Sequence, residues 1–167
     1  VLGSAMIECG EVLYTGDYNP YGTVTAGIAE PRDCETLIME STYGKPDQTL
    51  PNRNEVLKDL QAWIEVTSSN GGGIVGAYSL GKAQEVIATA NNGGVVPAVS
   101  EIVASVSDVY KKHGVPLEYV PYTELDEEEK KKPGLLVTST TATSGRRPDT
   151  VVKDLRMNGA KVARVSG

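Results

Sequence analysis

Histidine and cysteine are scarce in this 167-residue sequence: His113 stands alone, and Cys9 and Cys34 are the only thiols. Zinc sites draw four ligands from clusters of these residue types, so the chain by itself cannot assemble an ordinary zinc site. The cysteines lack C-x-x-C spacing, and a chain of this length does not need disulfide staples, so they read as reduced thiols packed as small hydrophobes. Long apolar runs are absent too. None approaches the ~20 residues of a membrane span, and no charged start precedes an apolar signal region. A cytoplasmic location is the default expectation. Nor is there an excess of basic residues: the net charge is −6, with 16 Lys and Arg against 22 Asp and Glu. That balance speaks against a protein that coats nucleic acid by bulk electrostatics, while leaving a local cationic groove or a bound metal as a means of holding phosphates.

What is present suits a soluble globular fold: 40% hydrophobic and 23% charged residues, enough for one compact domain, or one domain with part of another attached. Ala5 to Cys9 and Val12 to Thr15 are β-like runs around a Gly10-Glu11 turn. Thr36 to Met39 reads as a short strand buried on both faces. From there strands and helices alternate. The apolar spacing predicts a helix from about Asn52 through Ile64, with Val56, Leu57, Leu60, Trp63 and Ile64 on one face. A strand at Ile74 to Tyr78 follows, then a helix from near Ser79 to Ala90 with Leu80, Ala83, Ile87 and Ala90 facing inward. A strand beginning at Val95-Val96 leads to a helix over Glu101 to His113 that buries Ile102, Val106 and Val109. Lys111-Lys112-His113-Gly114 is a helix end, cationic against the dipole and closed by glycine, which makes His113 a surface cap. Glu124 to Lys132 is a solvated loop or short surface helix. Leu135 to Thr138 and Lys161 to Val165 are strands, with a helix over Thr150 to Met157 between them. No internal repeat is evident. The alternation implies a mainly parallel sheet covered on both faces.

Several segments carry candidate chemistry. Gly76, Gly81 and Lys82 satisfy most of the phosphate-loop pattern G-x-x-x-x-G-K-[ST], but Ala83 lacks the hydroxyl that binds magnesium. Ser79, Gly81 and Lys82 nevertheless stand at a predicted helix start, where backbone N–H groups and the dipole favour an anion; a plain helix cap with a surface lysine fits the same residues. Asp17 in Thr15-Gly16-Asp17-Tyr18 and Glu40 in Met39-Glu40-Ser41-Thr42-Tyr43-Gly44 follow strands, where a carboxylate projects past the sheet edge or simply starts a turn. Sites in open parallel sheets gather at the carboxyl ends of strands, so Glu40, the end of strand 74 to 78 and the segment after strand 135 to 138 are expected to converge. That segment, Ser139 through Ser144 to Arg146 and Arg147, is rich in hydroxyls, ends in two arginines, and suits phosphates, or is a flexible polar loop.

Taken in order, Val1-Leu2-Gly3-Ser4-Ala5-Met6, Tyr14-Thr15-Gly16-Asp17-Tyr18, Glu40-Ser41-Thr42-Tyr43-Gly44 and Ala77-Tyr78-Ser79-Leu80-Gly81-Lys82-Ala83-Gln84-Glu85 resemble the successive motifs of β-CASP nucleases in the metallo-β-lactamase superfamily. This family includes ligase-associated exonucleases and relatives of the cleavage and polyadenylation endonuclease. The resemblance implies that Asp17 matches the aspartate bridging two zinc ions, and that Glu40 matches the acid that helps organise the catalytic centre. It places Ser79, Gly81, Lys82 and Gln84 along the nucleic-acid groove, and Ser139, Ser144, Arg146 and Arg147 in a substrate-contacting loop. The family's H-x-H-x-D-H motif, the histidine preceding Val-Leu-Gly-Ser and the later histidines have no counterpart here. Arg146 stands where the RNA-processing branch has Met.

The resulting expectation is an internal segment of a zinc-dependent nuclease acting on RNA or single-stranded DNA. Its fold class is α/β, a mainly parallel sheet with helices on both faces (the β-CASP domain) plus a residual β-hairpin edge of a metallo-β-lactamase domain. Residues 1–44 would be the partial metallo-β-lactamase domain and 45–167 the β-CASP domain. The parent would use two zinc ions to activate a hydroxide and stabilise developing charge; the 167-residue chain would hold none stably and be inactive. No membrane partner is expected, and a homodimer is the candidate assembly. The competing readings are a non-catalytic α/β module that binds nucleic acid or protein, and a phosphate-loop-like nucleotide binder.

Overall fold

A computed structural model of the chain describes residues 1–144 and 149–165. They form two compact units, Val1–Asn52 and Arg53–Gly167. In the first, β1 (Ile7–Cys9) and β2 (Val12–Tyr14) make the expected antiparallel hairpin, with Cys9 opposite Val12. Among its two turn residues only Gly10 has positive φ, at 58°, the pattern of a II′ turn, whose twist matches that of the strands. β3 (Thr36–Ile38) pairs parallel with β2, setting Tyr14 opposite Ile38.

Two expectations fail here. The apolar run at Thr36 to Met39 was expected to be buried on both faces, yet Leu37 and Ile38 are about half exposed. β3 is an edge strand of the three-stranded sheet β1-β2-β3, not an interior one. Cys9 and Cys34 are free thiols as expected, but both are exposed instead of packed.

The second unit opens with α1 (Arg53–Ser69) and continues through β4 (Gly73–Ala77), α2 (Lys82–Asn92), β5 (Ala98–Val99), α3 (Glu101–Lys112) and β6 (Val120–Pro121). A 3-10 turn at Tyr122–Glu124 precedes α4 (Glu127–Lys131), β7 (Leu135–Ser139), α5 (Thr150–Met157) and β8 (Lys161–Val165). The five strands lie in the order β6-β5-β7-β4-β8, and every adjacent pair is parallel. β4 is buried along its whole length because it has sheet neighbours on both sides and helices on both faces. At roughly 1.5–3 kcal/mol per large apolar side chain buried, Ile74 and Val75 alone make this strand a substantial part of the core. The α/β architecture with a parallel sheet is as the sequence implied.

The crossover from β4 through α2 to β5 runs one way along the sheet, and that from β7 through α5 to β8 runs the other. Such connections are right-handed, so their helices cover opposite faces. α5 packs Val152 and Leu155 against Ile74, Ala98 and Leu136, while α1, α2 and α3 pack together on the other face.

The inward faces of two helices differ from the sequence reading. In α3 the buried residues are Val103, Ala104, Ser107 and Tyr110, whereas Ile102 and Val109 are about half exposed. Nearly every turn of this helix offers an apolar residue, and the face chosen is the one that brings Ser107 to a buried polar partner on α2. Leu80, expected to face inward, precedes α2 in an exposed turn. β5 begins at Ala98, not Val95, because the Val95 N–H closes the end of α2 by donating to the Ala90 carbonyl. His113 is the exposed C-cap of α3, and Gly114 follows at φ 84°, as expected. Among the described residues, no helix is long and apolar enough to cross a membrane.

Candidate nucleic-acid interface

Where the crossovers from two adjacent strands of a parallel sheet pass to opposite faces, the carboxyl ends of those strands are the usual place for a binding crevice. Here that point lies between β4 and β7. The register pairs Ala77 with Ser139, and the Thr140 N–H donates to the Ala77 carbonyl, so the segments leaving the two strands start side by side. One is the turn Tyr78 to Gly81, the other the turn Ser139 to Ser144. The expected meeting of these two segments is therefore present; Glu40 belongs to the other unit.

The first turn is closed on itself. Gly81 caps α2 with φ 87°, a left-handed conformation that glycine adopts without strain. Its N–H donates to the Oε1 of Gln84 at 2.7 Å, and the Ala83 N–H donates to the Tyr78 carbonyl at 3.0 Å. Two of the amides that would cradle a phosphate thus already have protein acceptors. Together with the missing hydroxyl at Ala83, this counts against the phosphate-loop nucleotide reading.

Gln84 was expected to face the groove, but it is wholly buried. Its amide nitrogen donates to the Ser79 carbonyl at 3.1 Å and to the Ser107 hydroxyl at 2.9 Å, so the side chain holds the turn from beneath. Lys82 is partly exposed, and its ammonium lies 3.3 Å from Glu85, which also pairs with Arg53 at 2.7 Å. Ser79 is half-buried at the rim, flanked by Tyr78 and Leu80, each 56% exposed. The sequence reading had not singled out these two exposed neighbours as contact residues; the signal available was a large apolar side chain on either side of a polar one in a strand-to-helix turn.

The second turn is a lattice of short-range hydroxyl bonds. The Ala142 N–H donates to Ser139 Oγ at 3.2 Å, Thr143 Oγ1 donates to the Thr140 carbonyl at 3.0 Å, and Ser144 Oγ donates to the Thr141 carbonyl at 2.9 Å. Ser139 and Ser144 stay partly accessible and Thr141 is exposed, whereas Thr143 is buried. Arg146 and Arg147 lie outside the described residues. A residue that sequence reasoning missed, Arg164 of β8, donates to the Thr143 carbonyl and, through Nε, to its hydroxyl at 3.3 Å.

In the first unit, Asp17 and Glu40 follow β2 and β3, two adjacent parallel strands, and so leave the sheet at the same end. The Thr15 N–H extends the ladder by donating to the Ile38 carbonyl at 3.0 Å. Asp17 is exposed. Glu40 accepts from the Thr42 N–H at 2.8 Å. That bond, the Thr42 hydroxyl and the Tyr18 N–H hold the Glu40 carboxyl below the usual carboxylate range, against a smaller opposing effect of burial. Among the described residues no group of three or more His, Cys, Asp or Glu is placed to hold a metal ion. Asp17 and Glu40 are two carboxylates, one of them committed to backbone N–H groups, and do not make up a zinc site.

No family model matches the chain. Curated proteins do. It is 37% identical over 105 residues to the transcription termination factor FttA of Methanocaldococcus jannaschii, covering 56% of this chain and 16% of that protein. It is 40% identical over 93 residues to RNase aCSPSF2 of Saccharolobus solfataricus, covering 51% of this chain and 18% of that protein. A probable DNA ligase of Opitutus terrae is 29% identical over 120 residues, covering 71% of this chain and 12% of that protein. The chain thus spans less than a fifth of the length of each of these three relatives.

Proposed function

We propose that the chain is the nucleic-acid-holding part of a β-CASP nuclease that hydrolyses phosphodiester bonds in RNA, with residues 45–167 as the clamp and 1–44 as the edge of a metallo-β-lactamase domain. The observation that carries this reading is the coincidence of two features in one segment. The homology to proteins named as RNases covers about half of the chain, and the second unit brings Ser79, Lys82, Ser139 and Ser144 together at the carboxyl ends of the adjacent strands β4 and β7. A net charge of −6 is compatible with this role, since a few local cations and hydroxyls suffice to seat a backbone. Zinc dependence goes with the reading for the parent protein, to which this chain would contribute Asp17 as a ligand.

Fluorescence anisotropy with a labelled single-stranded RNA tests the binding half, with a single-stranded DNA of the same sequence alongside. Binding is expected to favour RNA and to weaken on Lys82→Ala. Equal or better binding of DNA would move the substrate class, and no binding of either would remove the reading. For the catalytic half, the purified 167-residue chain is expected to leave RNA intact in the presence of zinc, while a longer protein containing it cleaves.

A further inference from the structure

Gly76 on β4 and Arg164 on β8 are register partners, and Thr143 from the turn after β7 lies over both. A Cβ at Gly76 would overlap Thr143 Oγ1 and come within 2.9 Å of its Cγ2, so the absence of a side chain there makes the seat for Thr143. From the side, the Arg164 guanidinium holds both the carbonyl and the hydroxyl of Thr143. The same hydroxyl donates to the Thr140 carbonyl. Thr143 is only 2% exposed as a result, although its neighbours Thr141 and Ser144 remain accessible.

We infer that Arg164 is a positioning residue for nucleic-acid binding: with Gly76 it locks Thr143, and through Thr143 it fixes the Ser139 to Ser144 turn that borders the crevice. This rests on the functional reading above. A run of serine and threonine has many local hydrogen-bonding alternatives and is poorly ordered by itself. If it had to be ordered by its ligand, affinity would fall by the ordering cost. A guanidinium suits the lock because its planar fork presents two N–H groups at a fixed spacing, which a single ammonium cannot do. Arg164 forms no ion pair among the described residues, so the alternative to a positioning role is direct contact with a phosphate, and the experiment separates the two.

The experiment compares wild type, Arg164→Lys, Arg164→Ala and Thr143→Val in the 167-residue chain. It measures the affinity for a labelled single-stranded RNA across a salt series, amide exchange at Ala142 and Ser144, and the unfolding midpoint. A positioning role predicts that both Arg164 variants weaken binding by roughly tenfold, that the salt slope keeps its wild-type value, and that exchange in the turn accelerates. Thr143→Val, which removes the hydroxyl but keeps the carbonyl, should fall between them and wild type, and it carries the test if an Arg164 variant fails to fold. Direct phosphate contact predicts instead that Lys rescues binding, and that Ala lowers the salt slope by about 0.7, the share of one phosphate on a single strand; that result overturns the inference. Wild-type affinity in all variants overturns it too and leaves the functional reading standing. A wild-type chain that binds no RNA removes both.

Discussion

The buried amide of Gln84 on α2 donates to the hydroxyl of Ser107 on α3 at 2.9 Å, joining two helices on one face of the sheet to the turn that follows β4. The same side chain accepts from Gly81 and donates to the Ser79 carbonyl. One residue thus satisfies three polar groups, two of them in buried bonds and the Ser79 carbonyl in a part-buried one, and the exposed turn rests on it.

Gln84→Ala should therefore cost more than a packing defect. It strips partners from the Gly81 N–H, the Ser79 carbonyl and the Ser107 hydroxyl, and a loss of about 3 kcal/mol is expected, since each buried polar group left unpaired costs roughly 1–3 kcal/mol. Adding Ser107→Ala to Gln84→Ala should cost little more, because the partner is already gone. Urea unfolding of the two single variants and the double variant measures this, and additive losses would contradict it.

Gly76→Ala is expected to lose about 1–3 kcal/mol through overpacking against Thr143. Adding Thr143→Ala should recover part of that loss by removing the atoms in the way. A double variant less stable than Gly76→Ala alone would show that space is not what the glycine supplies.

Tyr119 gives a prediction in alkali. Its hydroxyl donates to the Asp108 carboxylate; burial, that bond and the carboxylate's charge push its ionisation well above the ordinary tyrosine value. A group with a raised folded value stabilises fully below its unfolded value, about 10, and loses that contribution as pH rises above it. Stability should fall above about pH 10 in the wild type and fall less steeply in Tyr119→Phe. Parallel pH profiles for the two would count against the pairing.

Ser100, the N-cap of α3, has a side chain that does not cap the helix and a buried hydroxyl oxygen without a hydrogen-bond partner among the described residues. Ser100→Ala, which at an ordinary N-cap costs about 1 kcal/mol, is expected here to be neutral or stabilising, because an unpaired buried hydroxyl is removed. Thermal unfolding of the variant checks the sign.

Much of the second unit was legible because its signals are local. Asp149 caps α5 by accepting from the Val151 N–H, and the helix and the strand after it begin and end where their apolar spacing and the Asn158-Gly159 stop place them. The four motifs that resemble β-CASP nucleases were legible for the same reason. What could not be read is settled across the fold. The face α3 buries depends on Gln84, in another helix. β6, two residues long, exists because Ala98 and Val99 offer it a strand edge. The exposure of β3 follows from its place at a sheet edge. Arg164 looks like any surface cation on an edge strand until the turn beside it is seen, and Gln84 sits in a motif whose resemblance implies an outward face, although its side chain points beneath the turn.

The strand order also has a consequence for synthesis. β4 appears early in the second unit, but its sheet neighbours are β7 and β8, which come some sixty and ninety residues later. Pairings so distant along the chain form slowly, and they wait until β7 and β8 have left the ribosome. Thr143 receives its partner from β8, so the edge that would grip a nucleic acid is complete only once β8 has been made, and a nascent chain ending before that strand would expose the turn without its clamp.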